Sequence, residues 1–109
     1  MAVAPDGKWL AFSGLGHLYR LSTKGGDATQ ITFGPYYDTE PAISPDGRRL
    51  AFVSNRGSAG LRTLFLLNLS TGEISEITGT LHATQPSWSP DGKSIGFLSQ
   101  PPFRASAVR

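Results

Sequence analysis

Pro41-Ala42-Ile43-Ser44-Pro45-Asp46-Gly47-Arg48-Arg49-Leu50-Ala51-Phe52 decides the fold, because the same pattern stands twice more in the chain. It returns as Pro86-Ser87-Trp88-Ser89-Pro90-Asp91-Gly92-Lys93-Ser94-Ile95-Gly96-Phe97, and the opening residues hold Ala4-Pro5-Asp6-Gly7-Lys8-Trp9-Leu10-Ala11-Phe12. In each copy the proline presets φ near about −65° for the second place of a tight turn. The aspartate suits the third place, since its short acceptor reaches nearby backbone N–H groups. Glycine then takes positive φ and closes a hairpin through a type I turn and a glycine bulge. Apolar runs on both sides, Pro41-Ala42-Ile43 and Leu50-Ala51-Phe52-Val53, make the unit strand, turn, strand. Pro5, Asp6, Gly7, Pro45, Asp46, Gly47, Pro90, Asp91 and Gly92 therefore read as structural corners.

Outward from these corners the chain keeps a period. Asp6 and Asp46 lie 40 residues apart, Asp46 and Asp91 lie 45 apart, and Ile31-Thr32 and Ile77-Thr78 repeat at 46. Alternation of Trp9 and Ala11 with Leu10 and Phe12 is a strand pattern, and similar runs follow. The predicted strands are residues 1–4, 8–13, 17–23 and 28–33, then 40–44, 49–55, 63–69 and 73–78, then 84–89 and 94–99. Four short strands in about 40–45 residues is the period of a β-propeller blade. The chain is therefore predicted to be all-β, with about two and a half four-stranded antiparallel blades of an incomplete propeller. Residues 1–34 form the first blade, 35–79 a complete one, and 80–100 the first half of a third. Residues 101–109 are predicted to be an unstructured tail, because Pro101-Pro102 cannot continue a ladder. Half a blade exposes a strand edge, so self-association through open sheet edges is expected if the chain stands alone.

Composition fits this reading and excludes others. The 109 residues suit one modest domain, and 13 glycines with 8 prolines mark a turn-rich chain. No apolar run approaches the roughly 18 residues of a membrane helix, so no membrane span is predicted. The first residues lack the pattern of a signal peptide. Residues 1–100 hold eight bases and eight acids; Arg104 and Arg109 supply the whole +2. No basic stripe for nucleic acid is present, and Arg48-Arg49 and the 56–62 stretch read as solvated strand ends and a loop. Without cysteine there is no thiolate or disulfide chemistry. His17 and His82 lack ligand spacing, so neither metal nor cofactor is expected. Gly14-Leu15-Gly16 precedes a strand, where a dinucleotide site needs a helix. There is no Gly-x-Ser-x-Gly elbow, and no catalytic residue is assigned. Asn68-Leu69-Ser70 satisfies a glycosylation sequon at a strand end.

Three copies of Ser/Ala-Pro-Asp-Gly-basic-x-aliphatic, with Ser54-Asn55-Arg56-Gly57 and a Gly-x-x-x-x-Ile-Thr close, resemble the WD40-like repeat of TolB-type β-propellers over about residues 1–99. The departures are Ala4 for the turn serine and Gly96 for the alanine. Such propellers close with about 4–8 blades, which makes this chain a segment of a longer one. The resemblance implies a non-catalytic, periplasmic or secreted scaffold that contacts a protein partner, or the remaining blades of its parent, through the propeller face. The alternative it implies is an accessory propeller of a multidomain hydrolase, either a prolyl-oligopeptidase-like serine peptidase or a metal-dependent amidohydrolase. Its catalytic domain would then lie outside these residues.

Phe33-Gly34-Pro35-Tyr36-Tyr37-Asp38-Thr39-Glu40 is the candidate contact loop, joining the first blade to the second. Tyr36 and Tyr37 offer area with a polar tip, and Asp38 or Glu40 would favour a basic partner. His82, in the equivalent later loop, and Arg56, between the second and third strands of its blade, complete the candidate set. Replacing Tyr37 and Asp38 by alanine is expected to weaken binding and leave the sheets intact.

Overall fold

The computed structural model describes residues 1–57, 60–77, 79–80, 82–99 and 104–108. Among them lie eleven strands and no helix, so no helix is long and apolar enough to cross a membrane. β1 (Ala2–Val3), β2 (Trp9–Gly14), β3 (His17–Ser22) and β4 (Thr29–Gln30) form one antiparallel sheet in chain order. β5 (Asp38–Ile43), β6 (Arg49–Ser54), β7 (Thr63–Asn68) and β8 (Ile74–Glu76) form the second. β9 (Thr84–Trp88), β10 (Ile95–Ser99) and β11 (Arg104–Val108) form a third, three-stranded sheet. These are successive blades of an open propeller.

The expectation for the tail is corrected. Residues 104–108 are a strand, antiparallel to β10 from Ile95↔Val108 to Ser99↔Arg104. Arg104-Ala105-Ser106-Ala107-Val108 has one β-branched residue and no aromatic, so nothing in it announces a strand. The row of N–H and C=O groups along β10 supplies the partner, and pairing overrides propensity. The third blade thus has three strands and not two. Gln100, Pro101, Pro102, Phe103 and Arg109 of the predicted third blade and tail lie outside the described residues, as does Thr78.

All three corners share one geometry. The glycine N–H bonds the carbonyl three residues back: Gly7 to Ala4 at 2.9 Å, Gly47 to Ser44 at 2.8 Å and Gly92 to Ser89 at 2.9 Å. The glycines adopt φ of 72°, 74° and 72°, where a Cβ is strained. Each aspartate Oδ1 accepts the N–H two residues on, from Lys8 at 2.8 Å, Arg48 at 3.0 Å and Lys93 at 2.9 Å. In the later corners Ser44 and Ser89 also donate to that oxygen at 2.6 Å. Those serine bonds, then the backbone N–H bonds, hold the Asp46 and Asp91 carboxyls below the ordinary 3.8. A depressed carboxyl binds fewer protons folded than unfolded near pH 3.8, so the stabilisation is complete above that range. It is lost as pH falls through the folded values. Ser44→Ala with Ser89→Ala is expected to move both carboxyl midpoints up toward the ordinary value in an NMR titration. Unmoved midpoints would remove the serines as the cause.

The core lies between blades. Side chains of β6 alternate between two neighbours, as the strand period requires. Leu50 and Phe52, with Phe65 and Leu67 of β7, pack on Trp9, Ala11 and Leu18 of the first blade. Ala51, Val53 and Leu64 pack the other way, with Ile95 and Phe97 of the third. Each such burial stabilises by about 1.5–3 kcal/mol for a large side chain. Arg49 is not a solvated strand end. Its Nη2 donates to Gly92 O at 2.9 Å and its guanidinium lies 4.8 Å from the Trp88 ring, while Trp88 Nε1 donates to Ala42 O at 2.9 Å. Arg48 is exposed.

Candidate functional site

Strand direction reverses at every turn of a meander, so the connections alternate between two ends of the blades. The three corners and the β3–β4 and β7–β8 turns occupy one end. The β2–β3 and β6–β7 turns share the other with the interblade loops after β4 and β8. Hydrogen bonds tie that second group together: Asp38 N–H donates to Gly16 O, and Tyr37 N–H to Asn55 Oδ1, both at 2.9 Å.

The loop is shorter than its sequence suggests. Asp38 to Glu40 belong to β5, and Asp38 is fully buried. Its Oδ2 takes a hydrogen bond from Arg56 Nη2 at 2.7 Å, and its Oδ1 accepts from Ser54 Oγ at 2.6 Å and Arg56 Nε at 3.2 Å. Arg56 also donates to Phe33 O at 3.3 Å and stacks 4.7 Å from the Tyr36 ring. That ring folds over Gly34, where a Cβ would stand 2.8 Å from a ring carbon. At Gly57 a Cβ would meet Glu76 Oε2 at 2.7 Å, so the Glu76 carboxylate would have to shift for any larger residue there. The Ser54-Asn55-Arg56-Gly57 signature is thus a latch that fastens the interblade loop to the second blade.

Glu40 lies on the innermost strand at φ 54°, where β5 shifts register; Gln85 stands at φ 54° in the equivalent place on β9. Glu40 Oε2 accepts from Arg62 Nη2 and its Oε1 from Gln85 N–H, each at 2.9 Å. His82, at φ 60° and half-buried, donates its N–H to Arg62 O at 2.7 Å. The structure therefore brings Tyr36, Asp38 and Arg56 into one cluster and Glu40 into a second with Arg62, whose backbone carbonyl holds His82.

These contacts correct two expectations. Both acids are already paired with arginines, so they offer no free charge to a basic partner. Removing Asp38 would strip a buried guanidinium of its counterion, so the Tyr37/Asp38 double variant would lose stability as well as contact area.

The surface at this end is apolar and aromatic. Leu15 is 96% exposed, Tyr37 69%, Phe33 64%, Leu61 43% and Tyr36 38%. Beside them a cleft of about 430 Å³ is lined by Tyr37, Thr39, Asn55 and Arg62. Leu15 and Leu61 escaped the sequence reading because a lone leucine in a turn carries no pattern; only topology sets them beside the tyrosines. Among the described residues no group of His, Asp and Glu could hold a metal ion.

A family model described as the TolB beta propeller domain matches residues 2–102. The Tol-Pal system protein TolB of Francisella tularensis subsp. tularensis is 33% identical over 77 residues, 67% of this chain and 18% of that protein. The uncharacterized peptidase YuxL of Bacillus subtilis is 34% identical over 85 residues, 69% of this chain and 13% of that one. The chain therefore spans less than a fifth of these curated relatives. The structure of putative TolB from Agrobacterium tumefaciens superposes with a TM-score of 0.85 at 28% identity, covering 98% of this chain and 40% of that chain. The tricorn protease shares the fold, with a TM-score of 0.70 at 19% identity over 90% of this chain and 10% of that one.

Proposed function

The chain belongs to the TolB β-propeller domain family, and on that premise we propose that it is a non-catalytic segment of a periplasmic binding scaffold. The loop end carries the contact. The observation behind this is the concentration of exposed Leu15, Phe33, Tyr36, Tyr37 and Leu61 on connections latched to a rigid sheet. Exposed apolar clusters of this kind mark protein contacts, and aromatic side chains dominate their energetics. Tyr36, Tyr37, Glu40 and His82 lie at or beside the contact surface. Asp38 and Arg56 act on it by holding the loop.

The name of the Francisella relative supplies the probe, the Pal component of a Tol-Pal system. Titrated onto this chain, Pal is expected to bind. Tyr37→Ala with Leu15→Ala should weaken that affinity about tenfold or more, the scale of losing one or two interface anchors. Lys24→Ala, at the opposite end, should not. Equal affinities for all three folded proteins would remove the loop end as the contact. Absence of Pal binding to the unaltered chain would remove this partner.

The match to YuxL, an uncharacterized peptidase, favours a second reading, an accessory propeller of a peptidase whose catalytic domain lies outside these residues. A Gly-x-Ser-x-Gly elbow in the same reading frame would select it.

A further inference from the structure

Backbone strain is divided unevenly between the two ends of the blades. Among the described residues, every one with positive φ in the three corners and in the β3–β4 and β7–β8 turns is a glycine. Toward the loop end four residues with side chains hold that conformation: Leu15 at 54°, Glu40 at 54°, His82 at 60° and Gln85 at 54°. Non-glycine residues seldom adopt it, and such strain gathers at functional sites. Three of the four are tied into the chain. Glu40 bonds Arg62, the Gln85 N–H bonds Glu40, and the His82 N–H bonds Arg62 O. Leu15 differs, with 96% of it exposed.

The β2–β3 connection is a two-residue turn, with Gly14 paired to His17 and positive φ at both Leu15 and Gly16. Turns of this type I′ form favour Asn-Gly, Asp-Gly or Gly-Gly, because both central residues are left-handed. Leucine is unfavourable at the first of them, and no burial offsets it. The turn is nonetheless held firmly. Gly16 O accepts the Asp38 N–H at 2.9 Å, and Arg56 fixes Asp38 in turn. A Cβ on Gly16 would stand 3.2 Å from Tyr36 O. Gly14 and Gly16 set no side chain beside Leu15, so its isobutyl group projects alone from a rigid tip. A flat surface would touch only the end of that group, whereas a concave one would bury it whole.

We propose that Leu15 is a pre-formed anchor that inserts into a concave apolar pocket on a folded protein partner, and that the chain gives up folding stability to hold it there. The anchor rests on the loop-end contact proposed above, and adds to it a leading residue and the shape of the surface it meets.

Leu15→Asn tests this, since asparagine accepts the left-handed backbone and removes the apolar group. Its folded-to-unfolded ratio from urea unfolding is expected to rise about fivefold. Its affinity for Pal is expected to fall about tenfold or more. Leu15→Met, which keeps an apolar side chain under the same strain, should stay near the unaltered chain in both. A urea midpoint for Leu15→Asn that is unchanged or lower would overturn the proposal. So would Pal binding that Leu15→Asn leaves intact, and if Tyr37→Ala still weakens that binding the loop-end contact stands without the anchor. No binding of Pal by the unaltered chain would overturn both. Sedimentation with phosphatidylethanolamine–phosphatidylglycerol vesicles that depends on Leu15 would replace the protein pocket by a lipid surface and overturn the partner assigned here.

Discussion

Asp38→Ala is expected to destabilise the chain by about 3–5 kcal/mol, the scale of breaking a buried ion pair on one side. The carboxylate is fully buried, and Arg56 beside it has only 13% of its side chain exposed, so water cannot replace the lost partner. The alanine also abandons Ser54 Oγ, which donates to Asp38 at 2.6 Å. A loss of that size approaches the whole stability of a small domain, about 5–15 kcal/mol. Urea unfolding should show the midpoint falling steeply, and Arg56→Ala should fall by a similar amount. A cost under about 1 kcal/mol for both would place the pair with ordinary surface ion pairs.

Phe52→Ala should cost about 3–5 kcal/mol, because its ring is completely buried between two blades and leaves a cavity that neither sheet can close. Phe12→Ala is the matched comparison. Phe12 holds the same place in the repeat and stacks on Tyr19 as Phe52 stacks on Phe65. With no blade over it within the chain, Phe12→Ala should cost clearly less than Phe52→Ala when both are measured as monomers in the same urea titration. Equal costs would mean that blade packing does not set the burial energy of this position.

Pro-Asp-Gly corners were legible in the sequence because every interaction that makes them lies within five residues. Blades were legible because the corners recur at blade length. What could not be read depended on contacts between distant positions. Ser54, Asn55 and Arg56 stand out as a signature, yet their partners lie at Asp38, Tyr37 and Phe33, 16, 18 and 23 residues earlier. Ile31-Thr32 and Ile77-Thr78 align in sequence, and Ile31 and Ile77 do make the same backbone bond, to Leu18 and Leu64. The buried hydroxyl does not follow that alignment. Thr32 Oγ1 accepts Leu18 N–H at 2.9 Å, and its counterpart on Leu64 N–H is Thr80, two residues later. A short insertion in the loop moved the side chain along the sequence and kept it in place in space. Glu40 read as a free acid because its left-handed backbone, which turns it toward Arg62 and Gln85, has no local marker.

Corners and aromatic connections sit at opposite ends of every strand, and this division shapes how such a chain can change. One rim counts: each corner marks off a blade, and its glycine holds a φ of 72–74° that strains any side chain. The other rim can be rewritten at Leu15, Phe33 and Tyr37, whose exposed side chains stand outside the Asp38–Arg56 latch. A lineage can therefore trade one binding preference for another without renegotiating its architecture.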